Sequence, residues 1–99
     1  MLPLLEEIRI TFIEPCLAEA AKIRFKAEFS TDISPVLPYL NSILRNATYN
    51  HRAPTLTFTR EFRLLTLYPR HLTVAKALNT TDAWQVVDWL KDLINETWA

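Results

Sequence analysis

Side chains that could do chemistry are few in these 99 residues. There is one cysteine, Cys16, and there are two histidines, His51 and His71. A four-iron cluster or a structural zinc site takes about four ligands, and these three fall at no ligand spacing. Cys16 reads as a small, half-buried apolar side chain, and both histidines as solvated turn residues. Neither histidine has a nucleophile and an acid at a recognisable spacing. The sequence contains no glycine. Phosphate cradles, dinucleotide fingerprints and nucleophile elbows all need backbone that lacks a Cβ close to the ligand. No catalytic residue, cofactor ligand or metal ligand is assigned, and the chain reads as non-enzymatic. The same absence leaves left-handed turn positions to residues such as Asn46, Asn50 or Asn79.

Two other sets of side chains could bind something. Arg9, Lys22, Arg24 and Lys26 fall on the polar side of two alternating segments. Thr55, Thr57, Thr59, Thr66 and Tyr68 fall on the polar side of three more. On a single sheet backed by helices these would line one open face, and small α+β domains bind RNA or DNA with such a face. Glu7 and Glu28 dilute the charge there. Over the whole chain 11 basic residues balance 11 acidic ones, which removes any global attraction to nucleic acid or anionic membrane. A solvated face, or one covered by a second subunit or domain, is the competing reading. The other set is Trp84, Trp89 and Trp98, which flank the apolar stripe of the last helix. Trp98 lies at its edge, Trp89 further out and Trp84 furthest. Trp84 is expected to be partly exposed and to mark a self-association or docking surface.

The elements that must position these residues follow from periodicity. Ile8, Ile10 and Phe12 alternate with Glu7, Arg9 and Thr11, which predicts a strand over 7–14 with the apolar residues inward. Residues 15–20 are a connection with room for one helical turn. Ile23, Phe25, Ala27 and Phe29 alternate with Lys22, Arg24, Lys26 and Glu28, predicting a second strand paired to the first as a hairpin. Ile33, Val36, Leu37, Leu40, Ile43, Leu44 and Ala47 fall at offsets of 3, 4, 7, 10, 11 and 14, one face of a helix. Asp32 or Ser34 can cap it, and Pro35 fits its first turn. Pro38 fits an earlier start poorly, so regular helix is placed from about Pro35 to Asn46.

Residues 49–54 read as irregular. Three short strands follow at 55–59, 63–68 and 72–77, with Leu56, Phe58, Leu65, Leu67, Leu72 and Val74 inward. Arg60-Glu61 and Pro69-Arg70 are the turns between them. Asn79-Thr80-Thr81-Asp82 opens a second helix, whose stripe of Ala83, Val86, Val87, Leu90, Leu93, Ile94 and Thr97 repeats the offsets of the first. The order β-β-α-β-β-β-α predicts a two-layer α+β sandwich. One antiparallel sheet of about five strands would carry both helices on one face, in a single domain over residues 1–99. A lone cysteine allows no internal disulfide and fits a reducing cytoplasm. No apolar run reaches membrane-spanning length.

One run is more specific than periodicity requires, Thr31-Asp32-Ile33-Ser34-Pro35-Val36-Leu37-Pro38-Tyr39-Leu40-Asn41. With Ala47-Thr48-Tyr49-Asn50, Leu56-Thr57-Phe58 and the segment Trp89 to Trp98, it resembles the N-terminal domain of iron–sulfur cluster proteins of anaerobic bacteria and archaea. In that family a cysteine-rich segment of Cys-x-x-Cys type follows the domain and is thought to bind a four-iron cluster. This sequence ends at Ala99 with only Cys16. The resemblance therefore implies an accessory or protein-interaction domain that does not itself ligate the cluster: either a piece of such a protein, with the four-iron cluster in a C-terminal segment beyond these residues, or a stand-alone version of the domain. On that resemblance Tyr39, Asn41 and Tyr49 would help dock that segment or a protein partner, the alternative for the two tyrosines being packing at the flank of the core. Asp32 and Asn50, polar members of the same runs, are read as cap and turn residues.

Overall fold

The computed structural model describes residues 5–17, 19 and 21–98. Among these residues six strands form one antiparallel sheet: β1 (Ile8–Pro15), β2 (Ile23–Phe29), β3 (Thr48–Asn50), β4 (Thr55–Arg60), β5 (Arg63–Leu67) and β6 (His71–Ala77). Two helices, α1 (Leu37–Ile43) and α2 (Thr80–Trp98), complete an α+β fold. The strand order is β1-β2-β6-β5-β4-β3. The first hairpin therefore joins the last strand of the meander, and β1 and β3 are the two edges. The sixth strand, β3, was not expected, because Tyr49 and Asn50 fall in a segment read as irregular. Three residues are too few to show a period. The pairing of Tyr49 with Leu56 makes the strand.

One face of the sheet carries the core. The paired positions Leu56 and Leu67, Phe58 and Leu65, Leu65 and Val74, and Leu72 and Ala27 share that face. They belong to a single buried cluster with Val36, Leu37 and Leu40 and with Val86, Val87, Leu90 and Ile94. Both helices thus bury their stripes on the same side, as one-sided helices must. Leu65, Leu67, Leu72 and Val74 all point inward as their alternation requires. At the start of the described chain, Asn95 accepts from the Leu5 N–H (2.8 Å) and donates to the Leu5 carbonyl (2.9 Å), clamping this segment to α2.

Two strands carry an extra residue, and this alters which side chains face outward. Ile10 pairs with Ala27 but Phe12 with Lys26, so Thr11 is a bulge. Beyond a bulge the side-chain phase shifts by one. Phe12, expected inward, therefore stands on the outer face and is 51% exposed. Ile13 opposite Phe25 takes the core-side position instead. In β6, Val74 and Ala77 pair with Phe25 and Ile23 and are both buried, so one of the two residues between them is extra. Lys76 supplies the bulge geometry with φ 68°.

The first helix is shorter than its periodicity suggests. A 3-10 turn at Ser34–Val36 precedes α1, and Leu44 already has extended backbone. Ile43 is consequently exposed, although it fits the stripe. The Asp32 carboxylate accepts from the Ser34 N–H at 2.8 Å. This bond, and one from the Ser34 side chain, hold its pKa below the ordinary carboxylate value. Asp32 thus closes a turn and does not cap a helix end. Asn46 is left-handed as expected, but Asn50 and Asn79 are not. The other left-handed positions are Glu61, Phe62 and Lys76. Asn50 accepts from the Arg52 N–H at 3.1 Å in a side-chain turn, and Asn79 caps α2 by accepting from the Asp82 N–H at 2.8 Å. Of the 15–20 connection, positions 18 and 20 lie outside the described residues.

The β4–β5 turn is Glu61-Phe62, one residue later than expected. Arg60 pairs with Arg63 across it. A two-residue hairpin turn matches strand twist when both central residues have φ above zero, which favours Asn-Gly. Here Glu61 (φ 50°) and Phe62 (φ 69°) take those positions. Arg63 holds this tip in place. Its Nη1 donates to the Glu61 carbonyl and to Glu61 Oε2, both at 3.1 Å. Its other edge makes a two-pronged pair with Asp82, Nε to Oδ2 at 2.7 Å and Nη2 to Oδ1. Asp82 Oδ2 also accepts from the Leu78 N–H at 2.9 Å. Both residues of the pair are buried, and every buried side-chain polar atom among the described residues has a partner. No described helix is long and apolar enough to cross a membrane.

Two outcomes follow from this tip. Phe62 is 87% exposed, so its removal loses little packing while glycine relieves the left-handed backbone. Phe62→Gly is expected to raise stability by about 1 kcal/mol, read as a higher urea midpoint, and a lower midpoint contradicts the turn assignment. The Arg63 guanidinium holds the Asp82 carboxyl below its ordinary value. A carboxyl depressed on folding contributes stability that is present above its unfolded pKa of about 3.9 and is lost as pH falls through the lower folded value. Asp82→Asn should therefore be destabilised at pH 7 by about 3 kcal/mol, and its gap to the parent should narrow steadily below pH 4. A gap independent of pH would contradict an ionised Asp82.

Candidate binding face

The surface opposite the helices is built by pairing alone. A single cross-strand row crosses all six strands there. Thr48 pairs with Thr57, Thr57 with Thr66, Thr66 with Thr73, Thr73 with Lys26, and Lys26 with Phe12. Adjacent strands lie about 4.8 Å apart, so the row spans roughly 24 Å. Its threonines offer a track of hydroxyls that ends in a cation and an aromatic ring. Leu64 and Ala75 pair beside it.

A groove of about 600 Å³ opens at the Lys26 end of this row. Phe12, Leu64 and Ala75 give it apolar walls, Thr66 and Thr73 give it hydroxyls, and Glu14, Arg24 and Lys26 line its charged side. The bulge at Thr11 creates it, because the shifted phase brings Phe12 onto this face. The size is that of a small-ligand site or a seat for a few side chains.

Charge on the face is largely cancelled within the chain. Arg9 pairs with Glu28 at 3.0 Å, Arg24 with Glu14, and Lys22 with Glu19 at 3.1 Å. All are partly exposed, so they contribute little to stability, but they neutralise three of the four cations. Lys26 alone of the four makes no ion pair among the described residues. Tyr68 stacks on His71 at 4.3 Å, nearly parallel, with the ring face occupied by its neighbour.

The remaining sequence candidates are scattered. Trp84 is 49% exposed near the start of α2. Tyr39 is exposed on α1 and Asn41 half-buried. Tyr49 on β3 packs against the core. Among the described residues no side-chain hydrogen bond or ion pair joins Trp84 to Tyr39, Asn41 or Tyr49. Trp89 is half-buried, with Phe58 meeting its ring edge-on at 6.2 Å and the Arg60 guanidinium 4.1 Å above it. Trp98 is buried. Cys16 is a buried free thiol next to edge strand β1, while His51 follows the opposite edge strand β3 and His71 begins β6. The strand order therefore keeps the three apart, and no group of three or more His, Cys, Asp or Glu side chains converges among the described residues.

Of the groove residues, Phe12 escapes simple alternation, whereas Leu64, Thr73 and Ala75 fall outward by the same alternation that turns Leu65, Leu72 and Val74 inward. The signal for Phe12 was present in Phe12-Ile13, since two adjacent apolar residues in a strand cannot both face inward. Arg63 also escapes it, although Asn79 three residues before Asp82 marks the helix start that Arg63 reaches. The chain matches no protein-family model, no curated protein and no solved structure.

Proposed function

We propose that the chain is a non-catalytic protein-interaction domain, accessory to an iron–sulfur protein, that receives its partner on the outer sheet face. The observation that supports this most is the groove: apolar walls of Phe12, Leu64 and Ala75 beside Lys26, a cation with no ion-pair partner among the described residues, on a face that neither helix covers. An apolar side chain carried next to a carboxylate complements it, the ring and methyl groups burying against Phe12 and Leu64 while the carboxylate meets Lys26. The threonine row offers hydroxyls to the backbone of an extended partner segment. The iron–sulfur association comes from the resemblance of the Thr31–Asn41 run, which supplies the context and not the groove chemistry. The same reading keeps Trp84 on α2 as a separate docking point, and Tyr39, Asn41 and Tyr49 as further partner contacts that do not form one surface with it.

A second reading, nucleic-acid binding, is favoured by the placement of Arg9, Lys22, Arg24 and Lys26 on one side of the first hairpin. The ion pairs with Glu28, Glu19 and Glu14 count against it, because phosphate contacts would have to compete with carboxylates already seated.

Titration with anilinonaphthalene sulfonate, an aromatic anion, separates these readings when followed by amide NMR. The groove reading predicts shifts centred on Phe12, Lys26, Leu64 and Thr73, with binding weakened about tenfold by Lys26→Glu, equivalent to about 1.4 kcal/mol. Shifts centred on Trp84 would move the docking surface to α2, and the absence of native-state binding would remove the groove. A single-stranded oligonucleotide that binds at low salt and is released steeply by added salt would favour the second reading.

A further inference from the structure

We infer that the outer edge of β1 pairs with the same edge of a second copy, joining two sheets across a two-fold axis. β1 is the terminal strand of the sheet, and nothing among the described residues pairs with its far side. The hydrogen bonds of β2 determine which backbone groups of β1 face that side. The Ser30 N–H donates to the Glu7 carbonyl at 3.0 Å, and the Phe29 N–H donates away from β1, to the Arg70 carbonyl at 2.9 Å. Antiparallel pairing alternates, so Phe29, Ala27 and Phe25 all direct their backbone groups toward β6. Their β1 partners Ile8, Ile10 and Ile13 must then present theirs to the open edge.

A row of free donors and acceptors is a template for another strand. The usual protections are a bulge, a proline or charges. β1 has a bulge at Thr11 and a proline at its very end, yet its middle is apolar, with Phe12 and Ile13 half-exposed. The sequence is self-complementary in one register, in which paired residue numbers sum to 23. Ile10 then meets Ile13 of the second copy, and Ile13 meets its Ile10. Both positions are edge-directed, so they can exchange backbone hydrogen bonds, and both stand on the core side of the sheet. The two bulges lie opposite each other, with three residue steps between the paired isoleucines on each strand, so the register is kept. A two-fold axis normal to the sheet keeps core faces on one side and outer faces on the other, as closed dimers require.

Charge selects the same register. Arg9 meets Glu14 of the second copy on the outer face. Within the chain, Arg9 already pairs with Glu28 and Glu14 with Arg24 across the hairpin. Joining the edges therefore makes a four-strand row that alternates Glu28, Arg9, then Glu14 and Arg24 of the second copy. Phe12 would meet Thr11 of the other copy and lie beside its Phe12, so the two grooves would open on one shared face.

The test is the solution mass of the whole chain together with a register-specific crosslink. The parent should sediment at twice its 11.5 kDa mass, and Ile13→Lys should sediment as a monomer with unchanged circular dichroism. In a Cys16→Ala background, Ile10→Cys and Ile13→Cys chains mixed and oxidised should yield a disulfide-linked heterodimer, because directly opposed Cα atoms lie within disulfide range. Neither variant oxidised alone should do so. A parent that is monomeric at every concentration overturns the inference. So does a dimer that is indifferent to Ile13→Lys and gives no mixed crosslink, since that dimer would use another surface, α2 around Trp84 included.

Discussion

Arg63 and Asp82 meet as a buried, two-pronged ion pair where the tip of the β4–β5 hairpin touches the first turn of α2. Each partner has a second task. Arg63 ties down Glu61 in a left-handed turn that no glycine relieves, and Asp82 receives the Leu78 N–H while its own N–H is capped by Asn79. One contact thus fixes the hairpin's end, the helix's start and the angle at which α2 lies across the sheet. A buried pair of this kind is not simply a source of stability. Desolvation of both charges offsets much of the attraction, and well-packed apolar replacements for both partners are often as stable. What the pair imposes is dependence: with one member gone, the other is left as a buried charge. The further hydrogen bonds to Glu61 and Leu78 make its geometry specific.

With α2 fixed on one face and α1 beside it, no element among the described residues covers the other face of the sheet. Its character then depends on strand phase. Regular alternation alone would leave threonines and cancelled charges there. The bulge at Thr11 moves Phe12 out, and Leu64 joins it from β5, so an apolar groove forms on an otherwise hydrated surface. The same bulge puts Ile13 on the core side beyond full helix cover, at an edge whose backbone groups are unpaired among the described residues. Groove and edge are two consequences of one extra residue.

Much of this architecture is legible in the sequence. Ile23, Phe25, Ala27 and Phe29 announce β2 by strict alternation, and Ala83 to Thr97 announces α2 by period. The wheel order of Trp84, Trp89 and Trp98 matches their decreasing exposure. What escaped depends on non-local pairing. β3 is a strand because Leu56 pairs with Tyr49, and Phe12 faces outward because of a register shift against Lys26. The helix over residues 35–46 was overextended because Leu44 and Ala47 reach the core from extended or irregular backbone, keeping the right spacing without the helix. Left-handed backbone at Glu61, Phe62 and Lys76 follows from hairpin and bulge geometry, not from residue preference, and so could not be read from the positions of asparagine. The groove was hidden for the same reason, since its walls come from three strands whose register a linear pattern does not carry.

The measurement that bears most directly on the account is a double-mutant cycle on Arg63 and Asp82, with Arg63→Met, Asp82→Leu and the double variant compared by urea unfolding. If the pair fixes α2 to the hairpin, each single change should cost about 3–5 kcal/mol. The double change should cost far less than their sum, a coupling of at least about 2 kcal/mol. Two single costs that simply add would contradict the account, because Arg63 and Asp82 would then be independent side chains and the orientation of α2 would rest on apolar packing alone.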